Sequence, residues 1–529
     1  MEIDLNQIAA RSEAFRTQVC IIGAGIAGLT LARSLGQQGI DVALLEAGGR
    51  TPEPRSQELF TQARNIGAPH LGLHEGRFRT LGGSSIAWGA QVLPIAPQNR
   101  VSVSSPQHES PWPTAESLTP FYAEAQALLG LNNFSFDATS FSTETHTPLP
   151  PTIDGIETRF SKWAPFSHRN FAQTLARTLP ASITLYLHAN VTELLQTNAS
   201  ITSAIARNDA GTIFHFEATH FILAAGTIET SRLLLASRNQ SEQGIGNTHD
   251  QVGRNFHDHL SVIAAEPTGQ PRTQLLQTLT PRIFDGTLHT PKLEATPTLR
   301  EQLHLNAVLA HLTIDEPENS GAAVIRDILH ARQRGNLTRT LVAHAPRLPD
   351  SLITAAQLAW QARIKHRRYI SRHAAVTLRL NVEQQLRPDS RITLSPERDS
   401  LGMPIALLDW KISPAEIQTL RRFATHLRSQ FTTLDPTATD WNEALFDDAI
   451  ALSLEDVFHP MGGALMGTDP RTSVVDPNLT GHGVPNLHIA SAATFPTGGS
   501  PLPTLTLMAL TLRLADRLSA TFLKSTSAA

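Results

Sequence analysis

Cysteine is almost missing from the 529 residues: Cys20 is the sole example, so neither an internal disulfide framework nor a multi-cysteine metal centre can form. Such a chain suits a reducing compartment, and Cys20 is expected in the core. Uninterrupted apolar runs of about 18 residues are absent as well, which argues against a membrane span. The opening MEIDLNQIAARSEAF is polar and acidic, without the charged-then-apolar pattern of a secretory leader. The expectation is a soluble, cytoplasmic protein. Charge of one sign is equally scarce. The 43 Lys and Arg nearly balance 47 Asp and Glu, leaving −4 with no long run of either sign, so no nucleic-acid partner is expected. Arg363, Lys365, His366, Arg367 and Arg368 form one basic cluster, read as a solvated helix face. With 41% hydrophobic and 17% charged residues the chain has the composition of a globular protein.

What is present is organised. The length predicts two domains, or one with a large insertion. Val19 to Ile22 reads as a strand, Gly23 to Gly28 as a turn, Leu29 to Leu35 as a buried helix face and Val42 to Leu45 as a second strand, the opening unit of a parallel sheet. Phe221 to Ala225 and Leu487 to Ala490 are further sheet segments, so the nucleotide domain is discontinuous. Thr145 to Ile153 and Thr280 to Thr298, rich in Pro and Thr, are read as loops or boundaries. Ala375 to Gln385, Ser390 to Leu394 and Ile405 to Trp410 are read as strands of one antiparallel sheet, turned at Asp399 to Gly402, and Pro414 to Phe431 as a helix capped by Ser413 and packed across it.

The turn Gly23-Ala-Gly25-Ile-Ala-Gly28 lies between strand and helix, with the acidic Glu46 ending the next strand. Gly23 permits the tight turn, Gly25 lets backbone approach a pyrophosphate, Gly28 allows close helix-strand contact, and Glu46 can accept from a ribose. A second glycine cluster, Leu81-Gly82-Gly83-Ser84-Ser85-Ile86-Ala87-Trp88-Gly89, would be unexplained by NAD alone and favours FAD.

These residues resemble the glucose-methanol-choline oxidoreductase family. The likeness rests on the first glycine turn with Leu45-Glu46-Ala47-Gly48, the Gly82 to Ser85 loop, Ala224 to Thr230, Val252 to His259, His459-Pro-Met-Gly462, Val475-Asp-Pro477, Gly483 to Asn486 and Phe495 to Gly499. Arg77 to Leu93, Pro388 to Leu394 and Asp399 to Gly402 are most similar to its bacterial, pyranose-oxidase-like branch. The resemblance implies an α/β fold: a Rossmann-type FAD-binding domain (15–100, 180–265 and 445–525) and a substrate domain with an antiparallel sheet and helices (101–179 and 266–444). It places FAD against Gly23, Gly25, Ile26, Ala27, Gly28, Glu46, Ala47 and Gly48; against Arg79, Gly82, Gly83, Ser84 and Trp88; and against Val191, Ala225, Gly226, Glu229, Ser491, Ala492, Pro503, Thr504 and Leu505. Ala87 stands where relatives carry a flavin-linking histidine, so noncovalent FAD is expected.

The implied activity is hydride removal from the CH–OH carbon of a sugar, cyclic polyol or related small-molecule alcohol to flavin N5, with His459 as base. At the second catalytic position, where the family has His or Asn, stands Leu502, which can neither donate nor accept a hydrogen bond. Gly463-Ala464-Leu465-Met466 likewise replaces Thr and Arg of many relatives, implying a drier pocket. Two other readings follow from that departure, a flavoprotein with lyase-like chemistry and a scaffold that merely binds FAD. His257 and His259 suggest a metal site by type, but the resemblance makes their segment a cofactor-domain element and no metal is expected. Glu229 is read as serving either the flavin or a helix N-terminus. The electron acceptor stays open between oxygen, quinone and a protein carrier.

Overall fold

The computed structural model describes residues 1–99, 111–149, 152–318, 320–334, 336–431, 439–499 and 502–527. Ser500 and Pro501, between the last motif of the resemblance and Leu502, lie outside them.

The β-rich segment Phe15–Ile22 forms the middle of a nine-stranded sheet. It pairs in parallel with Val42–Leu45 on one side and Ile213–Leu223 on the other, with Ile183–Leu187 and Val484–Ile489 beyond them. Because its neighbours lie on opposite sides, the carboxyl end of Phe15–Ile22 opens a crevice where the strand order reverses. Helix Ile26–Gln37 returns from that end and buries Leu29, Leu31, Ala32 and Leu35 against the sheet. The late helix Thr504–Ser527 packs on the same helix. Cys20, on the central strand, is fully buried.

A second nine-stranded sheet is antiparallel, with Asp440-bearing strand Thr439–Trp441 at one edge, then His259–Pro267, Ala375–Glu383, Val308–Asp315, Thr287–Ala295, Ile156–Trp163 and Gln91–Val92. Alternation of side chains along each strand separates its faces. Leu260, Val262, Leu378, Leu380, Ala310, Leu312 and Leu293 point to a core shared with Leu420, Phe423 and Leu427 of helix Pro414–Phe431. His259, Ser261, Asn381, Arg379, His311 and Lys292 fall on the opposite face. The capping expectation at Ser413 holds reciprocally: Glu416 accepts from the Ser413 N–H at 2.6 Å, and Ser413 Oγ accepts from Ala415.

Two expectations are corrected. Thr280 to Thr298 is not a loop but supplies strands Arg282–Phe284 and Thr287–Ala295. Pro291 is tolerated because the ladder to Val308–Asp315 is registered only at Leu293 and Glu294, so its missing N–H interrupts nothing there. Ser390 to Leu394 and Ile405 to Trp410 do not share a sheet with Ala375 to Gln385. They form a hairpin, Arg391–Arg398 with Pro404–Asp409, that adds Arg64–Asn65 as a third strand. The turn around Pro388, closed by the Ser390 N–H to Arg387 carbonyl bond, redirects the chain between the two sheets.

Candidate active site

The reversal point of the parallel sheet opens into a cleft of 290 Å³. Its wall gathers residues from distant parts of the chain: Gly23, Gly25, Ile26, Ala27, Glu46, Ala47, Arg79, Gly83, Ser84, Val191, Ala225, Gly226, Glu229, Ser491, Ala492, Pro503 and Thr504, with His459 at the same cleft. The others act behind this wall. A Cβ on Gly28 would stand 1.8 Å from the Gly23 carbonyl, and one on Gly48 2.0 Å from that of Arg79, so both are spacing glycines. Gly82 takes a left-handed φ of 88° to open the short 83–86 helical turn, Leu505 is fully buried, and Trp88 donates its indole N–H to the Arg169 carbonyl. Arg77, the first residue of the Arg77 to Leu93 segment, also lines the cleft, as do Phe60, Met403 and Leu507, which had no motif to announce them.

The residues present fit FAD on several counts. Helix Ile26–Gln37 starts at Gly25 with no side-chain cap, so its first N–H groups are left for an anion. Gly23, at φ 105°, has no room for a Cβ, which would meet the Ala224 carbonyl at 2.6 Å. Gly25 is different, since a Cβ there would find only the Gly83 Cα, 4.0 Å away. The two glycine loops thus approach each other closely, and Gly25 and Gly83 both line the cleft. Glu46 is buried, accepting from the Ala24 N–H and the Gly48 N–H at 3.0 Å each. Burial raises its carboxyl against these two bonds, and the residue lines the cleft. Arg79 donates to Asn190 Oδ1 at 2.6 Å, while its Nε is buried without a partner. An orphaned guanidinium N–H on the wall is a site for an acceptor from the cofactor.

Glu229 turns out to serve an ion network. It holds Arg77 at 2.9 Å and Arg232 at 3.2 Å, and Arg232 reaches on to Asp399 at 2.7 Å. Burial alone would raise the Glu229 carboxyl, but Arg232, Arg77 and Arg79 outweigh it and hold it at about 2. The network fixes the Arg77 to Arg79 segment against helix Thr227–Ala236.

His459 is set by its backbone. Met461 and His257 form an antiparallel bridge, with N–H to carbonyl bonds of 2.8 and 3.0 Å, and the Pro460 carbonyl accepts from Thr227 Oγ1 at 2.6 Å. The His459 N–H donates to Asp258, which also accepts from the His259 N–H at 2.6 Å and from His70 Nε2 at 3.1 Å. Burial lowers the His459 imidazole; Asp258 opposes the shift and Lys292 adds to it. Its Nδ1 is buried and unpartnered. His259, which the sequence offered only as an unlikely ligand, stands edge-on to it with ring centroids 5.6 Å apart. Burial drives His259 down to about 3, so it is neutral; with Nε2 next to the Gly499 carbonyl at 3.2 Å, its bare Nδ1 is an acceptor. His257 instead turns its Nδ1 to the Asn255 carbonyl. Asp258, His259 and His459 do converge, ligand atoms within 4.8 Å of one another, with the Asp258 oxygens already engaged as described. Leu502 is half-buried at φ 92° and is not part of the cleft wall.

Residues 18–245 match the model of the FAD dependent oxidoreductases and residues 387–511 that of GMC oxidoreductase. The chain is 25% identical over 589 residues to the fructose dehydrogenase large subunit of Gluconobacter japonicus, covering 96% of this chain and 98% of that one. It is 24% identical to paromamine 6'-oxidase of Streptomyces fradiae, covering 94% and 90%. Among solved structures, pyridoxine 4-oxidase from Mesorbium loti superposes with a TM-score of 0.54 at 16% identity over 95% of this chain and 99% of that one. The fold and cleft are those of an FAD-dependent oxidoreductase. More narrowly, residues 387–511 match GMC oxidoreductase, the family whose motifs the sequence resembles.

Proposed function

We propose that the protein oxidises a sugar, cyclic polyol or related secondary or primary alcohol, with FAD held noncovalently and His459 taking the hydroxyl proton. The observation that carries this reading is a neutral imidazole, anchored through Asp258, at the cleft that the glycine turns line. When bound, FAD supplies the acceptor for the hydride. The chain's own work is to hold and to deprotonate. Gly25, the bare start of helix Ile26–Gln37 and Arg79 take the diphosphate, and Glu46 takes a ribose. Ala87, in place of a flavin-linking histidine, leaves attachment to these contacts. His459 is kept neutral by burial, so it accepts a proton at pH 7 without first losing one.

With Leu502 apolar, His459 acts without the family's second polar contact to the reacting oxygen. The substrate class draws support from relatives named for fructose and paromamine and from the polar sheet face carrying Ser261, Asn381 and His311. Anaerobic mixing with a panel of sugars, polyols and aryl alcohols tests the reading. The flavin absorbance should bleach with at least one of them, and His459→Ala should keep its FAD while losing that bleaching. No bleaching across the panel would instead favour a lyase-like or scaffold role for the bound flavin.

A further inference from the structure

Between strands Val308–Asp315 and Ala375–Glu383 the chain inserts three helices, Gly321–Arg334, Leu337–His344 and Leu348–Ile364. Their inner side is well anchored. Ala323, Val324 and Ala331 are buried, and Gln333 Nε2 donates to the Ser85 and Trp88 carbonyls of the glycine loop at 3.3 Å each.

The outer side has no such cover. Ile353, Ala356, Trp360 and Ile364 recur at spacings of three and four and therefore lie along one stripe of the last helix. Ile353, Trp360 and Ile364 are 67%, 51% and 63% exposed, and Val342 of the neighbouring helix is 73% exposed. Scattered apolar residues on a surface are ordinary, but a stripe at helical spacing is what a helix normally buries. Cations surround it. Residues 321–373 carry ten Lys and Arg against two Asp, a net +8, in a chain whose total is −4. The rest therefore carries −12. Arg332, Arg334, Arg339, Arg347, Arg363 and Lys365 are all exposed, and Lys365 reaches over the Trp360 ring at 5.4 Å. Of the basic cluster, Arg363 and Lys365 lie at the end of this surface, whereas Arg367 and Arg368 follow the helix and are partly buried.

We propose that the face is a lipid contact: the Ile353, Trp360 and Ile364 stripe lies in the headgroup region of an anionic membrane surface, with the flanking Arg and Lys side chains on lipid phosphates. The charge decides between occupants. A second copy packed by the same face would bring +8 against +8, whereas an anionic leaflet attracts each cation and accepts a flat apolar stripe with Trp at its boundary. No helix among the described residues is long and apolar enough to cross a membrane, so the contact is peripheral.

The test is co-sedimentation of the FAD-loaded full chain with vesicles of phosphatidylcholine alone and of phosphatidylcholine mixed with phosphatidylglycerol. The protein should sediment with the mixed vesicles at least about tenfold more than with the neutral ones, and release as salt is raised. The triple variant Ile353→Ser, Trp360→Ser, Ile364→Ser should stay in the supernatant with its flavin spectrum unchanged, as should Arg363→Glu, Lys365→Glu. The proposal is overturned if the native chain ignores the mixed vesicles, or if the triple variant binds them equally, which would mean mere charge adsorption. A native oligomer that ignores vesicles and that the triple variant dissolves would also overturn it, assigning the face to self-association. None of these readouts depends on the substrate or on turnover.

Discussion

The His459 backbone N–H donates to both carboxylate oxygens of Asp258, at 2.9 and 3.1 Å. The proposed base is thus positioned by a residue that never meets the substrate. Asp258→Ala strands three donors, from His459, His259 and His70, in a buried site. It should cost about 3 kcal/mol in thermal or urea unfolding. In the folded fraction the rate of flavin reduction should fall more than apparent substrate affinity does, which single-turnover kinetics separates. An unchanged rate would detach Asp258 from the mechanism.

The rate of flavin reduction should also depend on pH through His459. Burial lowers its imidazole below the usual 6.5, and only the neutral form accepts a proton. Activity is therefore complete at neutral pH and lost as the pH falls through the lowered value, so the ascending limb should lie below pH 6.5. A limb above 6.5 would contradict that assignment. His459→Ala should lower the reduction rate roughly 10²- to 10⁴-fold.

Two glycines of one motif should respond oppositely to alanine. Gly25→Ala meets no atom nearer than 4.0 Å, so the protein should fold with native stability yet bind FAD about tenfold or more weakly, a loss of about 1.4 kcal/mol. Gly28→Ala drives a Cβ into the Gly23 carbonyl and should reduce soluble yield itself. Flavin content against circular dichroism distinguishes the two.

Leu502 holds φ 92°, a region that L side chains enter at a cost and that Asn tolerates best. Leu502→Asn should raise the unfolding free energy by about 1 kcal/mol. Because Leu502 is not part of the cleft wall, turnover on a polyol should rise only if position 502 reaches the substrate. Stabilisation without any gain in turnover would show that Leu502 matters to the backbone and not to the chemistry.

Lys292 lies buried on the polar sheet face with no acidic partner among the described residues, and burial pushes its amine down to about 7. An amine whose folded value is depressed binds fewer protons folded than unfolded, so stability should rise as the pH goes from 7 to 10.5. Lys292→Met should flatten that slope and stabilise the fold by about 4 kcal/mol at pH 7, at about 1.4 kcal/mol for each pH unit of displacement. Chemical denaturation across this pH range measures it.

Much of this was legible in the residues. The strand, turn and helix around Gly23, the strand ending at Glu46 and the helix opened by Ser413 are local patterns, and periodicity with capping chemistry reveals them. Sheet membership is not local. Arg391–Arg398 reads as a strand either way, and which partner it takes is settled by the turn at Pro388 and by Arg64–Asn65, more than 300 residues upstream. Pro and Thr in Thr280 to Thr298 masked a strand because a proline penalty vanishes where no ladder bond is required. At the site, His459 came from its motif, whereas His259 and Arg77 acquire their roles only through neighbours distant in sequence. Burial of that kind leaves no periodic trace. The helical insert went unread for a related reason: its outward stripe has the spacing of a core helix, and only accessibility distinguishes the two.

The pairing of early with late strands has a consequence for biosynthesis. Ile213–Leu223 takes Val484–Ile489 as its neighbour, and Thr504–Ser527 lies on the helix that follows the first glycine turn. A nascent chain that has released its first glycine turn must wait for more than 450 further residues before the wall that turn belongs to is complete. Flavin capture is accordingly a late event, coupled to final closure of the sheet. Chains stalled on the ribosome before Val484 should emerge colourless.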